Sequence, residues 1–160
     1  MLKKLTLKKI LFALAALLIV FQFFRIDKTN PPLDMNMDIS VVAQMPTDLH
    51  ILVKNACYDC HSNEVKYPWY TNIAPLSWWI KHHINEGSEH LNFSEWGTYK
   101  PRRLDKKFKE CAEMLEAGEM PLSSYTLIHG EAKLSPEQKA QLIAWFYSQR
   151  TFESDKPKED

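Results

Sequence analysis

The chain has 160 residues, of which 45% are hydrophobic and 25% charged, with a formal net charge of zero. These values suit one compact domain with appendages and exclude a disordered chain. The zero conceals an asymmetry: residues 1–28 carry six Lys/Arg against one acid, whereas residues 29–160 carry 14 against 19 and are mildly acidic, which argues against nucleic-acid binding.

Lys3, Lys4, Lys8 and Lys9 precede an apolar run from Ile10 to Phe24 that only Gln22 interrupts. Counted from Leu5 to Ile26, with Lys8 and Lys9 snorkelling, the run makes about 33 Å of helix at about 1.5 Å per residue, enough to cross a bilayer. It ends Phe23-Phe24-Arg25-Ile26, without the small residues of a cleavage site. The expectation is an uncleaved signal-anchor over residues 1–26: a single transmembrane helix in the inner membrane, lysines inside, with the rest of the chain facing the periplasm. A cleaved signal peptide is the alternative, and it too puts the domain outside.

Residues 27–46 begin Asp27-Lys28-Thr29-Asn30-Pro31-Pro32 and carry Met35, Met37 and Met45 without helical periodicity. They read as a linker with a reach of about 25 Å if flexible. The alternative is an ordered strap lying across the domain.

The domain proper spans residues 47–150. Leu49, Leu52, Val53 and Ala56 recur at helical spacing, with Thr47 or Asp48 as the cap, and lead into Cys57-Tyr58-Asp59-Cys60-His61. C-x-x-C-H is the attachment signature of a c-type haem: two thiols add across the porphyrin vinyl groups and the histidine becomes the proximal iron ligand. A thioredoxin-like dithiol would need a βαβ setting that is absent. A zinc site would need ligand-spaced partners that Cys111, the remaining cysteine, lacks.

A loop from Asn63 to Asn72 follows, then a helix from Leu76 to Glu86 that starts after Pro75 and stops at Gly87. Periodicity fades from Ser88 to Pro101. Leu104, Phe108, Cys111 and Leu115 mark an amphipathic helix ending at Gly118. The last helix opens with Ser135 as cap, Pro136 at its first position and Gln138 closing a capping box, and Leu142, Ile143, Trp145 and Phe146 form its apolar side. Residues 151–160 are a polar tail. No convincing strand occurs, so the fold class is all-α.

A six-coordinate haem needs a second ligand. Met120, in Gly118-Glu119-Met120-Pro121-Leu122, lies between two helices where a thioether can point inward, although a gap-filling role is its ordinary use. His82 and His83 are the alternative ligands. His50 and His90 read as satisfied core or surface residues, His129 as support for the loop that follows Met120, and Cys111 as a buried small hydrophobe. The run Arg102-Arg103-Leu104-Asp105-Lys106-Lys107 suits haem propionates, an acidic partner or a solvated helix face. Trp69, Tyr70, Trp78 and Trp79 are candidate walls for the porphyrin.

With these motifs the chain resembles the c-type cytochromes. More narrowly, it resembles a bacterial haem-binding domain family through Cys57-Tyr58-Asp59-Cys60-His61-Ser62-Asn63, Tyr67-Pro68-Trp69-Tyr70, Ile73-Ala74-Pro75, His90-Leu91-Asn92-Phe93-Ser94-Glu95-Trp96 and Gly118-Glu119-Met120-Pro121-Leu122. The resemblance covers about residues 42–150. It implies a small cytochrome c-like helical domain around one haem c behind a membrane anchor, with Pro75 in the place of the proline whose carbonyl orients the proximal histidine. The expected function is one-electron transfer between redox partner proteins of the cell envelope. A centre with both axial sites filled is a relay rather than an enzyme. The alternative is a gas or redox sensor, or a small peroxidase, with an open or labile distal site and His82 or His83 as its acid/base group.

Overall fold

The computed structural model describes residues 6–151. Eight α-helices account for most of it: α1 (Leu7–Phe21), α2 (Ile39–Val42), α3 (Thr47–Ala56), α4 (Tyr58–His61), α5 (Leu76–His90), α6 (Pro101–Glu116), α7 (Ser123–Thr126) and α8 (Pro136–Ser148). Short 3-10 turns lie between them, and no strand occurs among the described residues. The all-α expectation is met.

The core forms where α3, α6 and α8 bring their apolar stripes together around the turn Phe93–Thr98. Val53, Trp96, Phe108, Ala112, Leu142 and Phe146 are all but inaccessible to solvent. Phe108 stands edge-on to Trp96 at 4.9 Å and to Trp145 at 5.9 Å, so aromatic contacts tie α6 to both neighbours. α8 begins with the expected capping box: Ser135 accepts from Gln138 N–H and the Gln138 side chain accepts from Ser135 N–H. At the other end of this pair, buried Asp105 accepts from Arg150 at 3.0 Å and from the Thr151 N–H at 2.7 Å. The rest of the polar tail, residues 152–160, lies outside the described residues, as do residues 1–5 of the amino-terminal segment.

Three expectations are corrected. The apolar run forms a helix only over Leu7–Phe21, 15 residues and about 22 Å, against about 30 Å of bilayer hydrocarbon. No helix among the described residues is long and apolar enough to cross a membrane. The helix stops where Gln22 turns to the domain: its Nε2 donates to the Ala74 carbonyl at 2.9 Å and its Oε1 accepts from Ala74 N–H at 3.1 Å.

The segment 27–46 packs as a strap. Asp38 and Ile39 are fully buried, Met45 nearly so, and α2 lies against the Phe93–Thr98 turn. Asp38 caps α2 through Ser40 N–H and accepts from the Tyr58 hydroxyl at 2.8 Å.

Gly87 does not stop the helix, because α5 continues through it to His90. Its missing side chain serves packing instead. A Cβ there would stand 2.6 Å from the Cys60 carbonyl oxygen, so only glycine lets α5 approach the α4 turn this closely.

Candidate haem-binding site

The C-x-x-C-H segment is a single helical turn. Cys57 ends α3, and its carbonyl accepts from the N–H groups of Cys60 and His61. Positions i, i+3 and i+4 share one face of a helical turn, so Cys57, Cys60 and His61 look the same way. The two intervening residues look elsewhere. Tyr58 is buried, bonded to Asp38 and His50 and stacked on Phe93 at 5.6 Å. Asp59 accepts from the Tyr125 hydroxyl at 2.8 Å.

His61 is oriented by backbone. Its Nδ1 lies 2.9 Å from the Gly87 carbonyl and 3.2 Å from the Leu91 carbonyl. Carbonyls only accept, so Nδ1 carries the hydrogen and Nε2 keeps a bare lone pair. Burial pushes the imidazole pKa below its ordinary value, against the pull of those two carbonyls, which keeps the ring neutral and able to ligate. A metal-ligating histidine ordinarily has this arrangement. Pro75 plays no part in it: the carbonyls of Gly87 and Leu91, from α5 and the residue after it, do what was expected of the proline.

The shared face of the turn opens into a cavity of about 550 Å³ between α3–α4, α5, α6 and the loop after α6. Cys57, Cys60, His61 and Met120 all line it. Val53, Leu91, Phe93, Leu115, Leu142 and Phe146 give the wall its apolar part, and Asp59, Glu86, Lys107 and Glu110 are the ionic side chains that border it. Burial raises the thiols, Cys57 to about 12 and Cys60 to about 11, with the charge of Cys60 adding to the first and that of Asp59 to the second. Both are protonated at neutral pH. Cys111 also lines the cavity, its pKa raised by burial and by the proximity of Cys57.

Of the alternative ligands, only one borders the cavity. His83 does so, with Nδ1 donated to the Trp79 carbonyl at 2.9 Å. His82 is exposed and paired with Glu86 at 3.3 Å. His90 reaches the rim, His50 is engaged by Tyr58, and His129 bonds Tyr70 and Glu131 outside the cavity. Met114 lines the wall and the sequence reading missed it, although it follows Cys111 by one helical turn. The four expected aromatic walls are elsewhere: Trp78 rests on Phe21, Trp79 packs on His83 from outside, and Trp69 and Tyr70 lie on the turn Trp69–Asn72. Phe93 and Phe146 take their place. From the basic run only Lys107 borders the cavity, and it is paired with Glu110 at 2.7 Å; Arg103 lies over Tyr99.

A second, larger cavity of about 740 Å³ opens on another face of α5. Asn63, Lys81, Asn92, Lys100 and Arg103 line it, and it holds no cysteine, histidine or methionine. Size therefore does not choose the site; donor chemistry does. Among the described residues no three His, Cys, Asp or Glu side chains converge to hold a bare metal ion. An apolar cavity of this volume, with the neutral His61 imidazole, two thioethers and three thiols on its walls, suits a metal carried in a flat apolar macrocycle.

Comparison with known families supports that fit. Residues 16–148 match the model of the haem-binding domain family. The chain belongs to this family. No curated protein matched, and no solved structure did. The match takes in the latter part of α1 as well as the strap and every element around the cavity, so the haem-binding domain is nearly the whole chain.

Proposed function

We propose that this haem-binding domain is a monohaem c-type cytochrome that passes single electrons between redox partner proteins of the cell envelope. One observation carries the reading: on the cavity wall that also holds Cys57 and Cys60, His61 has its Nδ1 hydrogen committed to the Gly87 carbonyl, leaving Nε2 free. In this reading Cys57 and Cys60 attach the haem covalently, each S–H adding across a vinyl double bond. His61 is the proximal ligand and Met120 the distal one. When bound, the haem supplies a one-electron iron couple. The apolar walls keep water out, and a neutral imidazole with a neutral thioether favours the reduced iron and a raised potential. With both axial positions filled there is no vacancy for substrate, which makes the protein a relay rather than a catalyst.

A second reading keeps the attachment and opens the distal side. His83 borders the same cavity with its Nε2 uncommitted, so it can replace Met120 as ligand or act as an acid/base group for a gas or peroxide.

The amino-terminal segment is read as a tether to the inner membrane, with the domain on the periplasmic side. None of the α1 side chains is buried, and no charge occurs between Lys9 and Arg25. Fifteen helical residues fall short of a span, so the tether is read as an apolar helix lodged in the membrane and not as a full crossing.

The test is a set of visible spectra on the full chain matured in a host that attaches haem c, oxidised and reduced, with and without carbon monoxide. A low-spin spectrum with the far-red thioether–iron band and no response to carbon monoxide is expected. A ferrous form that binds carbon monoxide selects the open-site reading, and a low-spin spectrum without the far-red band selects His83. Haem that extracts into acidified butanone refutes covalent attachment.

A further inference from the structure

Around the start of α5 the domain shows water a group of large apolar side chains. Trp69 is 75% exposed, Trp79 49%, Leu127 81% and Ile128 65%. Leu76, Trp79 and Ile128 line one shallow groove, and Tyr70 carries the surface on to Trp69. Single exposed apolar residues are ordinary, but a contiguous group containing two indoles marks a contact surface.

The same stretch of chain receives α1. Gln22 holds both backbone groups of Ala74, Trp78 Nε1 donates to the Phe24 carbonyl at 2.7 Å, and the Phe21 ring sits 5.1 Å from that of Trp78. Just beyond, Lys28 donates to Asn72 at 2.6 Å. These contacts pin the carboxyl end of a helix that is apolar on every side from Ile10 onward to residues 72–78, in the middle of the exposed patch.

We propose that the face formed by Trp69, Ile73, Leu76, Trp79, Leu127 and Ile128 lies on the lipid surface beside the point where α1 enters the bilayer. The domain is then held in one orientation instead of swinging on a tether. This rests on the reading of α1 as a membrane anchor. Indole rings, apolar in body and polar at one edge, partition to the membrane–water boundary. Of the charged side chains that line the groove, Lys66 and Asp59 offset each other, so the apolar side chains rather than charge carry the contact. The groove shares Cys60, His83, Leu122 and Tyr125 with the haem cavity. The orientation therefore turns that common wall toward the bilayer.

The test places the full-length holoprotein in phosphatidylcholine–phosphatidylglycerol vesicles that contain a lipid with a photoactivatable acyl chain, and maps the adducts by mass spectrometry. Adducts are expected in α1 and at Trp69, Trp79, Leu127 and Ile128. None is expected at Val41 on α2 or Tyr147 on α8, which are also exposed. The double variant Trp69→Glu/Trp79→Glu should keep the α1 adducts and its haem spectrum and lose those at Leu127 and Ile128. Adducts confined to α1 overturn the orientation and leave the anchor standing, whereas protein that does not float with the vesicles overturns both. Rim side chains free of lipid adducts but shielded from hydroxyl radicals indicate a second copy on this face and also overturn the proposal.

Discussion

On one wall of the haem cavity His61 is held by two carbonyls, and the residues just after it are cross-braced to the chain beyond α5: Asn63 N–H donates to Ser94 Oγ at 3.1 Å and Asn92 Nδ2 donates to Asn63 Oδ1 at 2.7 Å. Elsewhere on the cavity wall Met120 sits in a loop anchored through the N–H groups of Glu119 and Met120, which both lean on the Met114 carbonyl at 3.1 and 3.3 Å. Gly118, at φ +70°, turns the chain out of α6 with open space around it. The first wall positions its imidazole before any ligand arrives. The second is a loop whose thioether can adjust to what it meets, as methionine's unbranched chain allows. Substitutions on the first wall should therefore damage fold and spectrum together, and those on the second the spectrum alone.

The largest effect is expected for His61→Ala. It removes the imidazole and leaves two carbonyls unserved, so the low-spin spectrum should vanish and the thermal midpoint fall. A low-spin spectrum surviving in this variant would move the proximal ligand elsewhere. Gly87→Ala comes next and tests the wall without touching a ligand. In an unobstructed helix, alanine for glycine gains about 0.5–1 kcal/mol. Here the new Cβ meets the Cys60 carbonyl at 2.6 Å, a backbone atom that cannot step aside, and overpacking of this kind costs about 1–3 kcal/mol. A lowered unfolding midpoint and poorer haem attachment are expected, and an unchanged or raised midpoint would show the wall to be softer than described. Tyr58→Phe acts from behind. It strips the Tyr58 donor from one oxygen of buried Asp38, at a cost of about 1–3 kcal/mol, and loosens the strap from α4. Faster proteolysis within residues 27–46 should accompany the lower midpoint.

Local chemistry made much of this wall legible in the sequence. C-x-x-C-H carries its own geometry, because i, i+3 and i+4 share a helix face, and Ser135-Pro136-Glu137-Gln138 specifies a helix start by itself. What was misread depends on partners distant in sequence. Gly87 looked like a helix stop because glycine's low helix propensity is a local property, whereas its contact with Cys60 is not. The strap looked like a linker because its buried members are few and interrupted, and the buried Asp38 has a partner 20 residues on, the Tyr58 hydroxyl that donates to it. The most apolar stretch, α1, has no buried residue, in keeping with its being read apart from the domain core. The tryptophans expected around the porphyrin turned outward for a related reason: composition counts aromatic rings, but only the register of α5 decides which side they face.

The smallest change in stability is expected for Met120→Ala, and it is the sharpest test of the contrast. Met120 is half-buried against a cavity, so truncation removes little packing, about 1 kcal/mol or less rather than the 2–5 kcal/mol of a core methionine. Its spectrum should nonetheless change fully: the far-red band disappears and the ferrous form binds carbon monoxide. A variant that keeps the wild-type spectrum would exclude Met120 as ligand. Met114→Ala, His83→Ala and His90→Ala would then separate the remaining thioether and imidazole donors on the wall, since a thioether carries the far-red band and an imidazole does not. A Met120→Ala protein that loses stability as steeply as Gly87→Ala would break the contrast itself. It would mean that the loop after α6 is as firmly built as the histidine wall, and that an adjustable distal side does not exist.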